Sequence, residues 1–234
     1  MKRTFIILVT LTLLTALASS LFACKQDVPV ETRTGLEKNV SVYHDAAYVG
    51  ANEDFSAQLF TGETEKLIVV DGKVGELTRF ATLTVTPLSA SLFNNTYTYV
   101  LKGENGEKTG ALEKDVIGAA FSAELTDLTD LGKITEVSVV AEGILDSPIP
   151  LVNKLDNALG WREILKVAES ELSENIQAEN DNGVLLREIY IKLVNALPDE
   201  EAPYYYYVSF IKSPADYWAL LLDPADGKVV SKKI

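Results

Sequence analysis

From Asn39 to Gly143 apolar and polar residues alternate, and this period of two limits the possible folds more than any other feature of the chain. Val40 and Val42 alternate with Ser41 and Tyr43, and Phe55, Ala57 and Leu59 with Ser56 and Gln58. Ala81, Leu83 and Val85 alternate with Thr82, Thr84 and Thr86, and Pro87 ends the run. Lys66 to Val70 reads as a short apolar strand closed by Asp71-Gly72. Tyr97 to Leu101 continues the pattern, as do Ile117, Ala119, Phe121, Ala123 and Leu125, and then Val137 with Val139. Successive side chains on a strand point to opposite faces, so each run offers one apolar face to a core. Asn94-Asn95, Asn105-Gly106 and Leu131-Gly132 supply turns between the runs. About seven or eight short strands with regular turns predict an all-β antiparallel sandwich domain over residues 39–145.

Asp146-Ser147-Pro148-Ile149-Pro150 interrupts the pattern. Proline lacks an N–H and resists both helix and central strand, so 146–156 reads as a linker. After it, Trp161, Ile164, Leu165, Ala168 and Leu172 recur at steps of three and four, the signature of an amphipathic helix. Val184 to Val194, Tyr204 to Ile211, Tyr217 to Leu222 and Lys228 to Ser231 read as strands. The last two are joined by Asp223-Pro224-Ala225-Asp226-Gly227, a hairpin turn in which Gly227 can take the left-handed conformation. The expectation is an α+β domain over 157–234, with one helix on a four-stranded antiparallel sheet.

The N-terminus has the three-part layout of a secretory signal over residues 1–23. Lys2 and Arg3 are followed by the apolar run Thr4 to Ala18 and by the stretch Ser19 to Ala23. Leu21-Phe22-Ala23-Cys24 resembles the lipobox of bacterial lipoproteins, with Phe22 bulkier than that family usually carries. The resemblance implies cleavage before Cys24 and transfer of a diacylglyceryl group to its sulfur, with further acylation by chains such as palmitate. The protein would then sit in the cell envelope, extracytoplasmic, on the periplasmic side or the cell surface, with the membrane as its first partner. An uncleaved anchor helix, or an ordinary signal ending near a cysteine, is the competing reading. Cys24 is the sole cysteine of the chain, at the one position where lipidation needs a thiol, and this favours the lipobox. With that sulfur consumed no disulfide can form, and stability must come from packing. Residues 24–38, polar and holding Pro29 and Gly35, read as a tether.

Lys and Arg number 21 against 34 Asp and Glu, a formal net charge of −13, and loss of Lys2 and Arg3 with the signal would make the chain more acidic still. Such a surface repels phosphate backbones, so nucleic acid is excluded as an electrostatic partner. A catalytic triad would need a placed histidine and an orienting carboxylate. The only histidine is His44, and the adjacent Asp45 points the other way on a strand. Zinc held by His and Cys is ruled out by their scarcity. Asp223, Asp226, Asp127 and Asp130 lack EF-hand spacing and suit turns or caps. Gly103-Glu104-Asn105-Gly106 has turn spacing and no helix after it, so it is no phosphate cradle. The sequence thus names no catalytic residue, metal or cofactor.

The second half resembles the PepSY family, a small cystatin-like module of bacterial envelope proteins. The resemblance rests on Tyr207-Val208-Ser209-Phe210, on Tyr217 to Leu222, and on the turn Asp223 to Gly227 leading into Lys228-Val229-Val230. It implies binding or regulation and transfers no catalytic residues. The most unusual segment is Tyr204-Tyr205-Tyr206-Tyr207. In a strand, Tyr204, Tyr206, Val208 and Phe210 face one way, and Tyr205, Tyr207, Ser209 and Ile211 the other. One helix covers one side only. The expected binding surface is therefore Tyr205 and Tyr207 with Tyr217 and Trp218, because aromatic side chains with a polar tip suit interfaces. The expected role is non-enzymatic binding or regulation of an envelope protein or peptide, and the alternative is glycan binding through the β-sandwich.

Overall fold

The longest strand, β1 (Val40–Ala51), organises the chain because both of its edges are used. The computed structural model describes residues 33–66, 73–115, 119–126, 128–180, 184–195 and 203–234. After β1 come β2 (Phe55–Glu65), β3 (Leu77–Pro87), β4 (Tyr97–Gly103), β5 (Gly106–Lys114), β6 (Phe121–Leu125), β7 (Ile134–Ala141), β8 (Leu145–Pro150) and β9 (Val152–Asn153). Their lateral order is β1-β2-β3-β6-β5-β4-β7-β8, all antiparallel. One residue beyond β8, β9 pairs with β1, setting Val152 opposite Val49 and Asn153 opposite Tyr48. This pairing returns the sheet to its first strand and closes a ring.

The ring encloses a core. Phe55, Leu59, Leu83, Val85, Tyr97, Leu101, Phe121, Val137, Val139 and Ile149 are all at most 1% exposed. The Tyr97 ring meets Phe55 and Phe121 edge-on, at 5.3 and 5.0 Å. At the seam, Asn52 donates through Nδ2 to the Ser147 hydroxyl (2.8 Å) and to the Pro148 carbonyl (2.9 Å). Its Oδ1 accepts from the N–H groups of Asp54 and Phe55, which fixes the turn from β1 to β2.

The remaining elements overturn the expected architecture of a sandwich followed by a separate four-stranded α+β domain. The protein is mostly β, with one large mixed sheet of 13 strands: twelve in the order β13-β12-β11-β10-β1-β2-β3-β6-β5-β4-β7-β8, and β9 beside this path on β1. Here β10 is Glu188–Asn195, β11 Tyr204–Ser213, β12 Asp216–Leu222 and β13 Val229–Lys233. The junction is a parallel pairing of β10 with β1, Val40 opposite Ile189 and Tyr43 opposite Ile191. So β1 gives the first part of one edge to β10 and the later part of the same edge to β9. A sequence pattern reports which face of a strand is buried, not which edge pairs with what, so this junction left no trace in the alternation.

Two short helices follow β9: α1 (Trp161–Glu171) and α2 (Ser173–Glu179). The single expected helix is thus interrupted at Leu172, which has non-helical dihedrals. Trp161, Ile164, Leu165, Ala168 and Leu172 pack against residues of β10, β11 and β12, and against Val40, Tyr43, Ala47 and Val49 of β1. Each large side chain buried there contributes about 1.5–3 kcal/mol. The first strand therefore belongs to the core built under the helix, and Thr34–Ile234 forms one compact unit.

The segment read as a linker holds β8 and β9. Its prolines are accommodated by strand polarity. Leu151 donates its N–H to Thr135 O across the β7 side, so the alternate positions Pro148 and Pro150 have their nitrogens on the far side, where β7 needs no donor.

The signal at 1–23, Cys24 and the tether up to residue 32 lie outside the described residues. So do Lys66 to Val70 beyond its first residue, the turn Asp71-Gly72, Ile117, Asp127 and an acidic stretch, Asp199-Glu200-Glu201. No described helix is long and apolar enough to cross a membrane.

Candidate functional site

In β11 the side chains divide by parity. Tyr206, Val208 and Phe210 are fully buried under the helix, and Tyr204 is 6% exposed. Tyr205, Tyr207 and Ile211 point to the opposite face and are half-buried. Register extends this outer face sideways: Tyr207 lies between Lys192 of β10 and Leu221 of β12, and Ile211 stands opposite Tyr217.

A hollow of about 230 Å³ lies on this face. Its walls are the rings of Tyr190, Tyr207 and Tyr217, with Ile211, Pro214 and the Lys192 side chain. The Tyr207 and Tyr217 phenols both border it, close enough for each to influence the other's titration. Lys233 Nζ lies 3.4 Å from the Tyr217 ring centroid, and Lys192 Nζ lies 5.2 Å from that of Tyr190. The Lys233 ammonium lowers the Tyr217 phenol from its ordinary value through a hydrogen bond and its charge. Burial raises Tyr207 and Tyr190. The Tyr207 and Tyr190 phenols therefore stay neutral at physiological pH, as donors with apolar bodies.

Trp218 occupies a different place. One residue from Tyr217, it points to the opposite face, is 7% exposed and belongs to the core under the helix. The sequence reading grouped two neighbours that strand alternation must separate. Tyr205 shares the outer face but is not among the residues around the hollow. Conversely, that reading missed Tyr190 and Lys192, although the face made by Ile189, Ile191 and Leu193 already placed them on the other side of β10.

His44 serves structure. Its Nδ1 accepts the Leu193 N–H at 3.1 Å, its ring stacks on Phe60 at 5.0 Å, and Phe80 meets it edge-on. Asp45 turns to Thr61 and Arg79 instead, so no carboxylate orients the imidazole. The register of β1 against β2 shifts between His44 and Ala46, making Asp45 a bulge residue. Among the described residues no group of three His, Cys, Asp or Glu side chains is placed to hold a metal ion. Asp223 and Asp226 accept backbone N–H groups two residues ahead, from Ala225 and Lys228, and so cap their own turn.

No protein-family model, curated protein or solved structure matches the chain.

Proposed function

We propose that this chain is a lipid-anchored, extracytoplasmic binding or regulatory protein of the bacterial envelope, and that it engages a peptide segment of a partner through the outer tyrosine face of β10–β12. The observation that carries the reading is the hollow between Tyr190, Tyr207 and Tyr217. Tyrosine rings give large contact area with few rotatable bonds, and their hydroxyls satisfy polar groups of a peptide. The hollow suits one or two side chains of an extended segment, not a large ligand. The resemblance of Leu21-Phe22-Ala23-Cys24 to the lipobox supports the anchor, and the PepSY-like hairpin motif supports a binding role without catalysis.

Two experiments test this. Cys24→Ser is expected to move the protein from the membrane fraction to the soluble fraction and to abolish incorporation of labelled palmitate; unchanged membrane retention contradicts the anchor. The chain from Lys25 to Ile234, which contains the whole compact unit, is then screened in parallel against a peptide display library and a glycan array. Peptide binding that is lost in Tyr207→Ala/Tyr217→Ala supports the reading. Glycan binding with no peptide ligand overturns it.

A further inference from the structure

The charge around the tyrosine hollow runs against the charge of the molecule. The chain carries a net −13, yet the ionisable side chain at the wall of the hollow, apart from the tyrosines, is Lys192, and Lys233 stands on the neighbouring Tyr217. Two carboxylates, Glu188 and Glu65, bring negative charge to Tyr190, but both are buried and accept from donors of their own, Glu65 from the Gly75 N–H. Glu188, fully buried, accepts from the Ser41 hydroxyl at 2.9 Å. Asp216 pairs with Arg187 at 2.9 Å. Each lysine lies by a tyrosine ring, at the cation–π distances above, which positions the ammonium without neutralising it. The floor beside them is apolar, through Ile211 and Pro214.

We infer that the hollow takes a carboxylate-bearing peptide: an acidic group held between the Lys192 and Lys233 ammonium groups, with an adjacent apolar side chain seated on the tyrosine rings. This rests on the proposed peptide-binding role and adds the chemistry of the ligand. The volume admits one such group, and the net negative charge of the whole chain repels a polyanion, so the favoured segment carries an isolated carboxylate flanked by apolar residues. The carboxylate can come from an Asp or Glu side chain or from a peptide C-terminus.

The test is selection of random heptapeptides on the Lys25–Ile234 chain, in two pools with free and with amidated C-termini. Selected sequences are expected to be enriched in Asp or Glu in both pools if a side chain is read. A terminal carboxylate would instead confine binding to the free pool. In either case, Lys192→Gln/Lys233→Gln should weaken the selected peptides by about tenfold or more, the effect of hydrogen bonds to a charged group. Raising salt should weaken them further. Selected peptides that bind the tyrosine face without a carboxylate, and bind the double lysine variant equally well, overturn this inference and leave the peptide-binding role standing. Failure to select any peptide whose binding depends on Tyr207 and Tyr217 overturns both.

Discussion

The Arg187 guanidinium lies 3.9 Å from the centroid of the Trp218 ring, with the arginine only 1% exposed. Its fork donates from Nε and Nη2 to the two Glu179 carboxylate oxygens, both at 2.7 Å. Nη2 also reaches Asp216 Oδ1, and Nη1 the Asp216 carbonyl. One side chain thus ties α2 to the start of β12 under the aromatic core. Trp218 is held here, away from the face that Tyr217 presents.

Arg187→Ala is expected to lower stability by about 2–3 kcal/mol, read as a shift of the urea midpoint. Loss of a buried arginine and its stacking is costly, but Glu179 and Asp216 reach water and need not stay unpaired in the interior. Arg187→Lys should recover less than half, because an ammonium cannot form the planar fork or stack as broadly. Full recovery by lysine would show that charge alone matters at this position.

His44 predicts a pH dependence. Burial, aided by the nearby Lys192 charge and opposed by Asp45, depresses the imidazole from 6.5 to about 4. Between these values the unfolded chain binds a proton that the native protein does not, so stability rises with pH. The contribution is complete above pH 6.5 and is lost as pH falls towards 4, about 3 kcal/mol in all. His44→Asn keeps an acceptor for the Leu193 N–H and removes the titration. The difference in unfolding free energy between wild type and variant should therefore slope across this window and flatten above it. A constant difference contradicts the assignment.

Ring closure by β9 and β1 is tested at Gly50. A methyl group there would fall 1.9 Å from the Pro150 carbonyl oxygen, and backbone cannot yield as a flexible side chain can. Gly50→Ala is expected to cost about 3 kcal/mol, while Gly143→Ala, whose cost comes from its positive φ of 70° and not from a clash, should cost about 1 kcal/mol. Equal effects in thermal unfolding would argue against a tight seam.

Much of the local structure was legible because it depends on neighbours in sequence. Ala81, Leu83 and Val85 alternate and are buried in β3; Trp161, Ile164, Leu165 and Ala168 recur at helical steps and are buried in α1. Gly227 has φ +76°, and its N–H donates to the Asp223 carbonyl to close the expected hairpin. What escaped was set by distant partners. Nothing in Val40 or Ile189 announces a parallel pair across the length of the chain, and Asp146 to Pro150 looked like a break because proline's cost depends on which edge it faces. Arg187 lies within the strand expected over Val184 to Val194, and nothing in the sequence marks it, since only the tertiary structure supplies Glu179 and Trp218. Of the expected binding residues, parity along the strand places Tyr205 and Tyr207 on the outer face; applied to the next strand as well, it separates Tyr217 from Trp218.

The central claim, that the outer tyrosine face is the binding surface, is tested most directly by isothermal titration of a selected peptide into wild type and Tyr207→Ala/Tyr217→Ala. The account predicts a loss of affinity of about 30-fold or more, as for paired aromatic hot spots, with little change in melting temperature because both side chains are only half-buried. An affinity unchanged in a variant that remains folded would contradict it.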